Sequence, residues 1–123
     1  MNGWIGVDLD GTLAEYHGWN PNNPGIGPPI TAMAERVKQW LADGRTVKIM
    51  TARIAHNHAG MEFVRQEIEE WCEKHLGQKL EVTCMKDYAM IELWDDRAVR
   101  VRANIGHPCC DHHETKPSYH KIT

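Results

Sequence analysis

The stretch GWIGVDLDGTLAEY, residues 3–16, places Asp8 and Asp10 one residue apart, after an apolar run and directly before Gly11 and Thr12. Two further acids, Asp95 and Asp96, follow IELW, and Thr51 follows VKIM. Each of these polar groups stands where a short apolar run ends. If the runs are neighbouring parallel strands, their ends open on one crevice, and four carboxylates and a hydroxyl converge there. Four carboxylates do not stay ionised side by side without positive charge between them. A hard divalent cation held by oxygen ligands, magnesium above all, answers that repulsion. Lys86, just before IELW, adds a fixed positive charge. A metal and a cation so placed also make a site for an anion, and phosphate is the expected one.

The elements that must position these groups are legible in the spacing of apolar residues. Trp4, Ile5 and Val7 form a run without polar alternation, the pattern of a strand covered on both faces. Residues 17–29, HGWNPNNPGIGPP, hold four of the six prolines and three glycines, and so predict a loop. Ile30, Met33, Val37, Trp40 and Leu41 recur at helical intervals, and Gly44 follows as a helix stop. RTVKIMTAR predicts a second strand. Met61, Val64, Ile68, Trp71 and Cys72 give a second helical stripe ending near Gly77. KLEVTCM and IELWDD predict a third and a fourth strand, and AVRVRAN a fifth. Strands alternating with helices predict an α/β domain with a mostly parallel sheet, whose ligands gather at the carboxyl ends of the strands.

Bulk properties bound the reading. With 123 residues, 41% of them hydrophobic, the chain supports one core and not two. A formal net charge of -3 and 25% charged residues lack the basic footprint of a nucleic-acid binder, so nucleic acid is not the favoured partner. No signal-peptide pattern and no long apolar run is present, which predicts no membrane partner and a cytoplasmic location. The four cysteines, Cys72, Cys84, Cys109 and Cys110, lack the spacing of a secreted disulfide framework and are expected to be reduced.

DLDGT, the Thr51 of VKIMTAR, Lys86 and the WDD of IELWDD resemble the four ordered motifs of the haloacid dehalogenase superfamily, most of whose members are magnesium-dependent phosphatases. The resemblance runs from about Trp4 to Val101. It implies a Rossmannoid, three-layer catalytic domain over residues 1–105, with residues 106–123 as a His/Cys-rich tail. It further implies that Asp8 is the nucleophile of an aspartyl-phosphate mechanism and Asp10 the general acid and base. Thr51, Ala52, Arg53 and Lys86 would bind the substrate and its phosphoryl group. The Asp8 carboxylate, the Asp10 carbonyl, Asp95 and Asp96 would hold the metal, with Asp95 the direct ligand of the last pair. The intervals between the motifs are too short for a cap domain, so the chain resembles the capless subgroup, whose open site admits bulky or macromolecular phosphoesters. A small phosphorylated substrate, the expected partner, needs a loop or a partner subunit to exclude water.

Other readings accompany these. A polynucleotide 3'-phosphatase is the alternative enzyme, and a non-catalytic module retaining the fold and metal site the alternative class. Arg53 either grips an anionic group of the substrate or caps the following turn, and Thr51 either serves the site or ends its strand. Tyr16, His17 and Trp19 either overhang the site or pack within their loop. His56 and His58 read as polar residues preceding the second helix. Four of the eight histidines and two cysteines fall in residues 107–120, but adjacent Cys109 and Cys110 lack the spacing of common zinc sites, so the tail reads as one that picks up metal adventitiously.

Overall fold

The computed structural model describes residues 3–22, 24–55 and 61–109. Along them the chain forms β1 (Trp4–Asp8), α1 (Thr31–Ala42), β2 (Thr46–Met50), a short 3-10 helix (Ala52–Ile54), α2 (Met61–Leu76), β3 (Val82–Thr83) and β4 (Met90–Trp94). Gly44 stops α1 as its position predicted, with the Gly44 N–H donating to Leu41 and the Arg45 N–H to Trp40. The expected fifth strand is not formed. Residues 98–104 are exposed throughout, and Val101 makes only an isolated antiparallel bridge to Pro108. Alternating valine and arginine is a strand pattern only where a sheet offers it a partner, and here the partner is the short segment around Pro108.

The four strands make one parallel sheet in the order β3-β2-β1-β4. In β1, Asp8 lies beside Met50 of β2, and Val7 beside Trp94 of β4. The carboxyl ends of β1, β2 and β4 therefore stand together, with Thr51 and Asp95 one residue further on. The chain steps outward from β1 to β2 to β3 and then returns to the opposite side of β1. The gap between β1 and β4 is thus the switch point where α/β sheets bind ligands.

Two successive right-handed crossovers in one direction put α1 and α2 on the same face of the sheet, where they touch each other. Beneath them lies the core: Ile5 and Val7 of β1, Val47 and Ile49 of β2, Val37 of α1 and Ile68 of α2. Ile5, Val7, Val37, Ile49 and Ile68 are fully buried, each stabilising the fold by about 1.5–3 kcal/mol relative to exposure. α1 reaches the far strand through Trp40, whose ring meets Trp94 edge-on at 5.2 Å, while Arg36 lies over the same Trp94 ring.

The opposite face carries no helix among the described residues, so the third layer expected from the sequence has no helical counterpart there. Trp4 serves in its place. A Cβ built on Gly6 would lie 3.1 Å from the Trp4 ring and 3.3 Å from Leu93, so the indole lies across a strand position that only glycine leaves open. The Trp4 indole N–H donates to Asp87 at 2.9 Å, and Lys48 Nζ sits 4.7 Å from the ring centre. No second domain stands over the strand ends among the described residues. None of the described helices is long and apolar enough to cross a membrane.

Candidate active site at the carboxyl ends of the strands

β1 delivers Asp8 to the edge of the core, and the chain then turns sharply. The N–H groups of Thr12, Leu13 and Ala14 all donate to the Leu9 carbonyl, and the Gly11 N–H donates to Ala14. Gly11 has φ 93°, a left-handed conformation that side chains disfavour, and a Cβ there would lie 2.7 Å from Asp96 Oδ2. Thr12 ties this turn to the end of β4. Its hydroxyl oxygen accepts from the Asp96 N–H at 2.9 Å, and its one hydrogen points to Asp96 Oδ1 at 3.2 Å or Asp8 Oδ2 at 3.4 Å.

Asp8, Asp95 and Asp96 each offer one carboxylate oxygen to a group in which all three lie within 4.8 Å of one another. All three are half-buried. Burial, the charge of Asp95 and a hydrogen bond with Asp96 push the Asp8 carboxyl up from 3.8 to about 8. At neutral pH the cluster thus keeps a proton on Asp8 unless a cation takes its place. Asp95 Oδ1 also accepts from the Arg97 N–H at 2.7 Å, which fixes the turn after β4.

The Asp10 carboxylate does not join this group. It is turned away to Arg53, whose Nε and Nη2 donate to its two oxygens at 2.7 and 2.9 Å. This bidentate pair holds the guanidinium firmly charged despite its burial. Arg53 is placed by Thr51: the Thr51 hydroxyl, buried at the end of β2, accepts from the Arg53 N–H at 3.1 Å and so caps the 3-10 helix. Thr51 thus ends its strand and also positions the cation of the site. Ala52, between them, is exposed.

Lys86 stands in the connection between β3 and β4. The chain from β3 to β4 makes its return in six residues, so it must run extended along the sheet rather than as a helix. Along it Asp87 accepts from the Trp4 indole, and the Ala89 carbonyl accepts from the Trp4 N–H at 2.8 Å. Lys86 is exposed and borders a surface cavity with Asp87, Tyr88 and Met90. The positive charge paired with Asp10 is Arg53.

The loop from Glu15 to Pro28 borders a cavity of about 270 Å³ that ends on Arg53, with Tyr16, His17 and Trp19 in its wall. His56 and His58, and the tail from Cys110 onward, lie outside the described residues. Sequence reasoning named Arg53 but missed its pairing with Asp10. The available signal was an arginine two residues past a threonine at a strand end, a spacing that one turn of 3-10 helix converts into a side chain beside the neighbouring strand.

Comparison with known proteins gives a fold and no more. No family model matches the chain, and no curated protein matches it. A solved structure of a conserved protein from Bacteroides thetaiotaomicron is similar, with a TM-score of 0.52 and 21% sequence identity over 77% of this chain and 76% of that one. The likeness agrees with the four-stranded parallel α/β architecture seen here, a Rossmannoid domain without a cap.

Proposed function

We propose that this chain is a magnesium-dependent phosphomonoester hydrolase of the haloacid dehalogenase type. The observation that carries the reading is the grouping of Asp8, Asp95 and Asp96 within 4.8 Å, at the switch point of a parallel sheet and beside an Asp10–Arg53 pair. Three half-buried carboxylates, one of them holding a proton to about pH 8, fit a hard cation with oxygen ligands. Asp8, Asp95 and Asp96 would hold it. A bound magnesium ion supplies charge neutralisation for an incoming phosphate and for the acids around it.

The residues of the chain then divide the chemistry. An ionised Asp8 oxygen attacks phosphorus, forming a new P–O bond as the ester P–O bond breaks, and Asp10 gives its proton to the departing alcohol oxygen. Water next attacks the phosphorus of the aspartyl-phosphate, Asp10 takes a proton from it, and Asp8 is restored as inorganic phosphate leaves. Arg53 matches a phosphoryl group as well as it matches a carboxylate, since both accept its planar fork in pairs. Substrate phosphate therefore competes with Asp10 for Arg53 and frees the Asp10 carboxylate to take up the proton it must donate. The Thr51 hydroxyl accepts from Arg53, and its own hydrogen serves as a second donor to the phosphoryl oxygens.

The test is phosphate release from p-nitrophenyl phosphate, sugar phosphates and nucleotides, with and without magnesium, in the wild type and in Asp8→Asn. Expected is magnesium-dependent release that drops by about 10⁴-fold or more in the variant. Release undiminished in Asp8→Asn, or none from any substrate, overturns the reading.

A further inference from the structure

Resting on the phosphoester reading above, we propose that the cavity between the Glu15–Pro28 loop and Arg53 receives the substrate's leaving group. That group is a planar aromatic ring system carried on a small phosphate ester, as in a nucleoside monophosphate, and Trp19 is the residue that selects it.

The cavity is a built feature. The stems of the loop are joined by the Glu15 N–H donating to Pro28 at 2.9 Å and the Ile30 N–H donating to Leu13 at 2.7 Å. The loop is then fastened to α2 by the Trp71 indole N–H, which donates to the Gly27 carbonyl at 3.0 Å. Residues 15–20, 24–25 and 27–28 of the loop thereby line one cavity with Arg53. Arg53 is common to the cavity and to the ion pair with Asp10, so a phosphate held at Arg53 would direct whatever it carries into this space. A volume of about 270 Å³ lies just under the about 300–1,000 Å³ usual for small-ligand sites, which suits one compact group and not a polymer.

The nature of the wall selects among compact groups. A sugar alone is recognised through its hydroxyls, which require polar side chains with capacity to spare. Here the charged side chains are already paired, His17 with Glu15 at 3.5 Å and Arg53 with Asp10, while Asn20 Oδ1 accepts from the Asn22 backbone N–H at 2.9 Å. What the wall offers beyond them is aromatic surface. Trp19 is 71% exposed, too far from the core to be held there by burial. A lone exposed tryptophan is ordinary on a protein surface. One on the wall of a cavity that shares its cation with the reaction centre is a stacking platform, since indole and base present complementary faces whatever the base.

The experiment uses the Asp8→Asn protein, which binds without turnover, and follows its indole and arginine N–H signals in a proton–nitrogen correlation spectrum with magnesium present. The chain has five tryptophans, and Trp19→Phe identifies the Trp19 signal. Adenosine monophosphate and ribose phosphate are titrated separately. The expected result is that both move the Arg53 Nε–H signal, that only adenosine monophosphate moves the Trp19 signal, and that it binds about 5- to 150-fold more tightly. Trp19→Ala, a change at an exposed position that spares the fold, should remove most of that preference and leave ribose phosphate binding unchanged. Equal affinities with a still Trp19 signal overturn the aromatic pocket and leave the phosphoester reading standing. Failure of either ligand to move the Arg53 signal overturns both.

Discussion

Asp8 and Asp10 differ by two positions in the chain and by nearly everything in their surroundings. Asp8 faces two more carboxylates and shares a hydrogen bond with one of them, and its carboxyl is pushed up to about 8. Asp10 faces a guanidinium that fills both of its oxygens. The turn at Leu9–Ala14 creates the difference, because in a continuous strand residues two apart would share one face and one environment. A site that needs one carboxylate to meet a cation and another to exchange a proton with an alcohol requires such a division. The lesson is that spacing alone does not assign roles to paired acids; the charge that each one meets does.

Removing Arg53 should break the comparison most severely. Arg53→Ala leaves Asp10 without its partner, and on the proposed phosphoester reading it also removes the fork that would hold the phosphate, so phosphate release should fall about 10²- to 10³-fold in kcat/KM. Arg53→Lys should recover little of this, because an ammonium cannot engage two oxygens in the plane of a carboxylate. Steady-state kinetics on both variants decide it, and a lysine variant with full activity would mean that only charge matters at this position.

The acid cluster predicts a stability effect of the opposite kind. The Asp8 carboxyl titrates near 3.8 when unfolded and near 8 when folded, so the metal-free folded state binds more protons across that window. Its stability is therefore greatest, for this group, below pH 3.8 and declines as pH rises toward 8. Asp8→Asn removes the decline and should raise metal-free stability near pH 8 by about 2–3 kcal/mol, with little change in acid. Denaturant melts across the pH range, with a chelator present, measure this directly. A variant less stable than wild type at pH 8 would show that Asp8 is not the strained member.

The smallest expected effect is at Gly11. Gly11→Ala combines a positive φ with a contact at 2.7 Å to the Asp96 carboxylate, and should cost about 1–2 kcal/mol of stability while loosening the hydrogen bonds of Thr12. Thermal melts should show the loss. An unchanged melt would mean that the turn and Asp96 shift apart freely.

Much of this arrangement was legible before any coordinates, for reasons that particular residues make clear. Trp4–Asp8 and Thr46–Met50 are strands flanked by turn residues, and their parallel pairing follows from the helix that Met33, Val37, Trp40 and Leu41 mark between them. With strand ends aligned, Asp8, Asp95 and Asp96 come together, and Thr51 follows Met50, the neighbour of Asp8 in the sheet. The connection that carries Lys86 was less legible, because six residues without a helix between β3 and β4 leave no periodicity to read. The Arg53–Asp10 pair was hidden for a related reason: it depends on a single turn of 3-10 helix and on which way a carboxylate rotates after Leu9. The role of Trp4 in paving the helix-free face was equally unreadable, since a tryptophan at the start of an apolar strand looks like any other core residue until Gly6 is seen beneath it.

The claim at the centre, that the Asp8, Asp95 and Asp96 cluster awaits a cation, is tested most directly by calorimetric titration of magnesium into the protein at pH 7 in two buffers of different ionisation enthalpy. Binding should release close to one proton per ion in the wild type, because the cation displaces the proton that Asp8 holds up to about pH 8, and Asp8→Asn should release none. Magnesium binding with no proton release, or no binding at all, would contradict it.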